Sequence, residues 1–297
     1  MRRCVASLVA LLAAAPLVAV EGPHAEWAQY RLAGDAPWRY ARPVEAAGYR
    51  VVLSSPDGRA LDARVEVDGA PFAGDAPFPP PLASLSAEAR AALAEPQRED
   101  ALLDATSARV LGGATTTLEA VERVIAFTAR HVVYELPNGN ESASSALRSG
   151  RGSCVGRSLL AADLLLRAGV PVRQVTGLLV AGDPAELTPE SRLVFNGALG
   201  GVRHRWIEVF VPSLGWVPSD PGGLANSVTA RHLALSRQPA SGFHAALLAR
   251  SPEFARPVLE SAEGGLTLAR PRAPSEGAFF DPRPFAAARP AVRGDRH

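Results

Sequence analysis

Cys154, His204 and Asp220 have both the residue types and the sequence surroundings that suit nucleophilic catalysis in this 297-residue sequence. Gly152 and Ser153 precede the cysteine and an apolar segment follows it, so the thiol is expected in the first turn of a helix. The positive end of a helix dipole favours the thiolate, and the free amides there can hold an oxyanion. Taken alone, Cys154 could equally be an inert buried thiol.

His204 and Asp220 are expected on one β-hairpin. Residues 203–211 alternate between two faces, residues 212–215 form a turn, and the returning strand 216–219 ends at Asp220. The two side chains would then lie near the same end of neighbouring strands. An aspartate there can orient the imidazole while its other nitrogen faces a thiol. Taken singly, His204 could be a surface histidine and Asp220 the start of an Asp-Pro turn.

The N-terminus is typical of an export signal, which changes the cysteine count. Arg2 and Arg3 precede an almost wholly apolar run at 5–20, so residues 1–25 are predicted to be a signal peptide that carries Cys4. The run is short and rich in alanine for a membrane span, so an uncleaved membrane anchor is the less favoured alternative, and no later stretch is long and apolar enough. We therefore expect a periplasmic or secreted protein with no stable membrane span in its mature form. Its one remaining thiol would be reactive, inert, or half of an intermolecular disulfide.

Composition and spacing argue against several other classes of protein. A net charge of +1 gives no reason to expect a nucleic-acid partner. The sequence contains neither His-x-x-x-His nor Cys-x-x-Cys and no glycine-rich phosphate loop, so no metal and no cofactor are predicted. All 31 basic residues are arginines, so the protein carries no lysine amine that could attack its own acyl-enzyme.

The remaining pattern predicts helices and strands around these residues. Residues 26–82 are predicted to form a small β-rich accessory segment, with strands at 49–53 and 63–67. Helices are predicted at 86–94, 99–111, 118–133 and 154–168, the last one buried, with a polar loop at 137–152. Strands at 171–180 and 228–236 flank a loop at 183–201. Residues 241–297 are predicted to be a C-terminal extension with a short helix after 242, largely disordered from about 269.

Four stretches of the sequence resemble the transglutaminase-like superfamily. Residues 121–134 resemble the helix before the nucleophile loop, and residues 149–178 contain the Gly-x-Cys helix followed by Arg-Ala-Gly-Val-Pro-x-Arg. Residues 204–221 contain His-x-Trp-x-Glu-Val, Gly-Trp and Asp-Pro, and residues 229–235 resemble the strand that follows. The resemblance implies an α+β, papain-like catalytic domain over 83–240, in which a buried helix bearing the nucleophile packs on an antiparallel sheet.

The same resemblance implies a role for each matching residue. Cys154 would be the nucleophile, His204 the base and acid, and Asp220 the residue that orients the imidazole. Trp206 and Trp216 match aromatic residues of the family, and core packing is the role expected for both. As a second possibility, these two tryptophans and Ser153 would line the substrate cleft.

The sequence also departs from the family pattern. Gly222 stands where the family usually has Thr. No Gln or Trp before Cys154 offers an oxyanion donor, so the second donor is unassigned. The other histidines, including His131 and His232, are weaker candidates for the site.

The reaction implied is acyl transfer from an amide through a thioester. Hydrolysis of peptide or isopeptide bonds, including those of cell-wall peptide, and protein cross-linking share the first half of this reaction, so the expected partner is a peptide or protein substrate. A non-catalytic binding or assembly module that retains the fold is the alternative.

Overall fold

The computed structural model describes residues 26–33, 43–54, 60–68, 72, 74–94, 97–135, 141–180, 201–239 and 258–263. The predicted signal peptide, most of the loop at 183–201 and the tail from 269 lie outside these residues. The helices are α1 (Ala87–Leu93), α2 (Ala101–Leu111), α3 (Thr117–His131), α4 (Ala143–Ser149) and α5 (Cys154–Arg167). The strands are β1 (Glu26–Ala33), β2 (Val44–Ala46), β3 (Tyr49–Ser54), β4 (Ala60–Val67), β5 (Val133–Tyr134), β6 (Arg151–Gly152), β7 (Val172–Val180), β8 (Gly201–Val211), β9 (Gly215–Ser219), β10 (His232–Pro239) and β11 (Val258–Glu263).

Helix α5 is the centre of the larger helical core of the molecule. Ser153 caps its N-terminus by accepting the amide hydrogen of Val155 at 3.1 Å, and Gly169 follows its C-terminus with a φ of 78°. Its leucines and alanines are buried in one cluster with residues of α2, α3, α4 and β8. The predicted helix 154–168 is therefore present and buried, as its nearly continuous apolar circumference requires.

The four-stranded sheet is antiparallel and has the strand order β10-β7-β8-β9. One of its faces, with Ile207 and Val209, shares a core with α5. The opposite face, with Val175 and Trp206, shares a core with the N-terminal strands. The predicted α+β class is confirmed, and the sheet that carries His204 is enclosed on both faces.

The N-terminal strands form a second, five-stranded sheet with the order β11-β1-β4-β3-β2. The sequence predicted two of these strands at 49–53 and 63–67. Strand β11, which pairs with β1, was not predicted, because its partner lies more than 200 residues earlier in the chain. The domain boundaries at 82 and 240 stay predictions.

Two further predictions of local structure were wrong. The predicted polar loop 137–152 contains helix α4, which Ser142 and Ser145 cap reciprocally and which Gly150 ends with a φ of 64°. Serine favours helix caps over helix interiors, so the pattern of this segment favoured a loop; burial of Ala146 and Leu147 overrides that preference.

The strand predicted at 228–236 begins only at residue 232. Residues 229–232 form a turn, in which the Thr229 hydroxyl accepts the Arg231 amide hydrogen at 3.1 Å and the Thr229 carbonyl accepts that of His232 at 3.0 Å. Hydrogen bonds between Thr229 and the neighbouring backbone thus replace the strand pairing that the apolar pattern predicted.

The spacing of Thr116 and Glu119 at the start of α3 is typical of a capping box, of which only half is present. Thr116 accepts the amide hydrogen of Glu119, whereas Glu119 accepts that of Thr115 and not that of Thr116. Within the described parts of the chain, none of the helices combines the length and the apolar character that crossing a bilayer requires.

Gly177 allows the strands of the four-stranded sheet to approach closely. A Cβ atom at this position would lie 2.0 Å from the carbonyl oxygen of Leu233 and 2.8 Å from the ring of Trp206. Gly177→Ala should therefore lower the free energy of unfolding by about 3 kcal/mol or more. Urea denaturation measures this loss. Gly74→Ala is the control, since its Cβ would meet nothing closer than 3.4 Å; equal losses in the two variants would contradict the prediction.

Candidate active site

Cys154 is the first residue of α5 and is a free, partly exposed cysteine. Its position places the thiol at the positive end of a fourteen-residue helix. The side chain is thus accessible to a reagent or substrate while the rest of the helix is held in the core.

His204 and Asp220 form a buried hydrogen-bonded pair. His204 lies on β8, Asp220 directly follows β9, and Nε2 of the ring lies 2.8 Å from Oδ2 of the carboxylate. Nδ1 of His204 is buried and has no hydrogen-bond partner among the described residues, and Cys154 interacts electrostatically with the ring. The arrangement leaves Nδ1 as the nitrogen that can exchange a proton with the thiol.

Burial and charge act in opposite directions on this pair. Burial alone would lower the pKa of His204, but the charge and hydrogen bond of Asp220, and a smaller contribution from Cys154, raise that pKa above its ordinary value. Burial would likewise raise the pKa of Asp220, and the charges and hydrogen bonds of His204 and His232 hold it below its usual range. The site therefore favours an imidazolium beside a carboxylate.

The second oxygen of Asp220 explains why glycine follows the Asp-Pro pair. Oδ1 accepts the amide hydrogen of Gly222 at 2.8 Å, and a Cβ atom at 222 would approach Oδ1 to 3.2 Å. The backbone of Asp220 also exchanges hydrogen bonds with Leu224 at 2.8 and 2.9 Å. With glycine in place of the family's threonine, the carboxylate is held by a hydrogen bond from the backbone amide of Gly222.

His232 completes the buried group and was rated a weaker candidate from sequence. Its Nε2 lies 3.0 Å from Oδ2 of Asp220, the oxygen that His204 also contacts. Its Nδ1 accepts the amide hydrogen of Thr229 at 3.1 Å. The only signal in the sequence was its position within residues 229–235, the stretch that resembles the strand after the aspartate.

This trio has the residue types of a metal site, which sequence spacing did not suggest. The atoms of His204, Asp220 and His232 that could bind a metal lie within 4.8 Å of one another. However, Nδ1 of His232 accepts a backbone N–H, so its Nε2 carries the hydrogen of a neutral ring and directs it at the carboxylate. In this arrangement His232 offers a proton donor and not a lone pair, which does not suit a metal ligand.

Comparison with known proteins agrees with this geometry. Residues 104–221 match the family model of the transglutaminase-like superfamily. This segment holds all three members of the Cys-His-Asp group. Residues 104–221 belong to the transglutaminase-like superfamily. The fold is accordingly the α+β, papain-like core that the sequence predicted.

Solved structures show more distant likeness. A candidate cysteine protease from Cytophaga hutchinsonii is 11% identical, with a TM-score of 0.44 over 87% of this chain and 93% of that one. The periplasmic domain of TgpA from Pseudomonas aeruginosa, bound to ethylmercury, is 16% identical, with a TM-score of 0.39 over 66% of this chain and 74% of that one. No curated protein sequence matches the chain.

The two tryptophans of the transglutaminase-like core lie in packing positions. Trp206 is fully buried, its ring centroid 6.0 Å from that of His204 and 5.3 Å from that of His232. Trp216 lies beneath the guanidinium of Arg173, at 4.1 Å, and donates to Glu88 at 3.1 Å. Trp206 thus supports both imidazoles, and Trp216 belongs to a different cluster. Arg173, the last residue of the Arg-Ala-Gly-Val-Pro-x-Arg motif, has a structural role, since it also pairs with Glu88 and Glu208.

Ser153, the third predicted cleft residue, is tied to Glu141. The Ser153 amide donates to Oε1 of Glu141 at 2.6 Å, and its hydroxyl donates to Oε2. A Cβ atom at Gly156 would lie 2.7 Å from the same carboxylate. Glu141 therefore anchors the loop that delivers Cys154, and the glycine two residues after the nucleophile makes room for it. Sequence reasoning missed this carboxylate because it lay in the segment assigned to a loop.

Tyr134 is a further polar residue that interacts electrostatically with Cys154. It pairs with Gly152 in the short parallel ladder of β5 and β6. Burial, followed by the negative charges of Cys154 and Glu141, raises the pKa of its phenol, so the hydroxyl stays protonated. Arg157, which donates to the Val132 carbonyl at 2.7 Å, lies 5.7 Å from the Tyr134 ring.

The buried pair should make stability depend on pH in two directions. The raised pKa of His204 contributes stability that is complete below about pH 6.5, its unfolded value, and is lost as pH rises through the folded one. The lowered pKa of Asp220 contributes stability above about pH 3.9 that is lost on acidification. Urea midpoints from pH 3 to 10 should therefore peak between these values.

His204→Gln is the matched variant for this measurement, because its amide can still donate to Asp220 but does not titrate. It should lose the decline on the alkaline side of the maximum. Parallel profiles for the wild type and the variant would show that His204 is not the group responsible.

Proposed function

We propose that the protein is a cysteine-dependent acyl-transfer enzyme acting on amide bonds, with Cys154, His204 and Asp220 as its catalytic triad. The observation that carries the proposal is the orientation of His204: Nε2 is bound to Asp220 and Nδ1 is left open on the side of Cys154. A surface histidine or a structural Asp-Pro turn would not require both side chains to be buried with this pairing.

The reaction begins with transfer of the Cys154 thiol proton to Nδ1 of His204. The thiolate attacks the substrate carbonyl carbon, and backbone amides at the start of α5 stabilise the oxyanion that forms. The C–N bond breaks as the imidazolium protonates the leaving nitrogen, which departs as ammonia or an amine and leaves a thioester. His204 then deprotonates water or an amine, which attacks the thioester, and the thiol is restored.

Asp220 keeps the imidazole in the required orientation during both halves of this cycle. With Nε2–H held on Oδ2, the neutral ring presents its lone pair on Nδ1, and the charged ring is stabilised by the adjacent carboxylate. The pair is shielded from water, which strengthens this interaction.

The proposed substrates are peptides or proteins, cell-wall peptide among them, and the proposed location is the periplasm or the cell exterior. The predicted signal peptide at 1–25 supports the location. Cleavage of the signal peptide would remove Cys4 and lower the intact mass of the protein. Cys154 would then be the only thiol of the mature chain.

Alkylation by iodoacetamide tests the nucleophile and its base together. Because the imidazolium of His204 stabilises a neighbouring thiolate, the wild type should react at pH 6 at least about tenfold faster than His204→Ala. The rate is measured by mass spectrometry between pH 5 and 9. Asp220→Asn should lie between the two, since an amide cannot supply the carboxylate's charge.

Cys154→Ser is the control and should remove the labelling, apart from any at Cys4 if residues 1–25 are retained. If His204→Ala alkylates at the wild-type rate throughout this pH range, the enzyme proposal fails and the non-catalytic module becomes the better interpretation. A disulfide-linked dimer on a non-reducing gel would instead assign Cys154 to an intermolecular bridge.

The molecule that finally accepts the acyl group, water or an amine, distinguishes a hydrolase from a transferase. Incubation with a glutamine-containing peptide and a labelled primary amine should release ammonia, with the acyl group divided between water and the amine. Mass spectrometry of the peptide measures both products, and Cys154→Ser should form neither. The protein has no lysine, so its own side chains add no amine acceptor to the background. Absence of both products across a panel of peptides would count against acyl transfer from glutamine.

A further inference from the structure

We propose that His232 is a positioning residue of this site: a neutral imidazole of fixed tautomer that holds Oδ2 of Asp220 and, through it, the orientation of His204. The proposal rests on the proposed function and adds a fourth residue to the triad. His232 acts through Asp220, since its Nε2 is directed at the carboxylate.

The hydrogen bonds of His232 fix which nitrogen carries its proton. Nδ1 accepts the amide hydrogen of Thr229 at 3.1 Å and lies 2.9 Å from the hydroxyl of the same residue. A backbone N–H can only donate, so Nδ1 must be the lone-pair nitrogen. The hydrogen of the neutral ring is therefore on Nε2, 3.0 Å from Oδ2 of Asp220.

The surroundings of His232 keep the ring neutral. Burial, assisted by the positive charge of His204, lowers the pKa of His232, and the attraction of Asp220 does not reverse this. The ring is fully buried, with the edge-to-face ring of Trp206 centred 5.3 Å away. Among the described residues, Asp220 and His204 are the charged side chains that act on its pKa, so the two histidines around one carboxylate share a single positive charge.

One carboxylate oxygen thus accepts hydrogen bonds from two imidazoles that have different roles. Oδ2 receives a hydrogen from each ring, at 2.8 Å from His204 and 3.0 Å from His232. A neutral donor stabilises the anionic form of Asp220 without a second charge that would repel the imidazolium. Without His232, Oδ2 would lose one of its two donors in a buried environment, where the loss is costly.

The N-terminal sheet holds the segment that carries His232. The Tyr49 hydroxyl donates to the carbonyl of His232 at 2.5 Å and accepts the amide hydrogen of Ala234 at 3.0 Å. The Tyr30 hydroxyl donates to the carbonyl of Ala230 at 2.7 Å. Strands that supply none of the triad thereby fix the backbone on both sides of His232, which gives the accessory segment a task that sequence did not assign.

Substitution of His232 tests the proposal with iodoacetamide as the probe. His232→Leu keeps an apolar side chain in the core and removes the donor; we expect its alkylation rate at pH 6 to fall about tenfold and its rate-against-pH curve to move to higher pH. His232→Gln is the matched variant, because its amide can donate to Asp220, and it should stay within about threefold of the wild type. Circular dichroism and urea midpoints establish that each variant is folded.

A measurement on the unsubstituted protein covers the case in which His232→Leu does not fold. Nitrogen-15 NMR of histidine-labelled protein reports the protonation state of each ring nitrogen. His232 should show a neutral ring protonated on Nε2 from pH 5 to 8, whereas His204 should be charged over much of this range. Titration of His232 within this range, or a proton on its Nδ1, would overturn the proposal.

The outcomes separate this inference from the proposed function. If His204→Ala alkylates like the wild type, the proposed function itself fails. If His204→Ala is slow but a folded His232→Leu follows the wild-type profile at every pH, the triad stands and the role of His232 is refuted. A slow His232→Leu together with an equally slow His232→Gln would also refute it, because then packing and not the hydrogen bond would be responsible.

Discussion

The buried carboxylate of Asp220 is the constraint on which the other contacts of the site depend. An ionised carboxylate removed from water is costly unless hydrogen bonds and a counter-charge compensate it. Here three donors do so: the rings of His204 and His232 and the amide of Gly222. Each donor comes from a different place, namely β8, the start of β10 and the turn after β9, so satisfying one carboxylate fixes three segments of the chain relative to one another.

The two layers around the four-stranded sheet hold these segments in place. Helix α5 packs on one face and presents Cys154 at its N-terminus, while the N-terminal sheet packs on the other face behind Trp206. Gly177 lets β7 and β10 approach closely enough for His232 to reach the same carboxylate as His204. Cys154 and the buried ionic group are therefore each held by a packed interface, and neither can shift without disturbing it.

The sequence supplied those parts of the site that depend on local pattern. A capped apolar helix after Gly152 and an alternating strand joined to a short turn were enough to place Cys154, His204 and Asp220. His232 and Glu141 could not be found this way, because each owes its position to a contact with a residue elsewhere in the chain. Strand β11 escaped prediction for the same reason: pairing between 26–33 and 258–263 leaves no short-range signal.

Burial also determines how protons are distributed in the site. In water, two imidazoles near one carboxylate would titrate almost alike; here the Thr229 amide makes Nδ1 of His232 an acceptor and so leaves that ring a fixed donor. The one positive charge of the two histidines then resides on His204, the ring beside the thiol. In the proposed reaction, a proton that moves between Cys154 and His204 would do so beside hydrogen bonds that are already in place, which is the condition under which fixed dipoles accelerate acyl transfer most. The cost of burying Asp220 is thus the physical origin of the polarity that the proposed reaction requires.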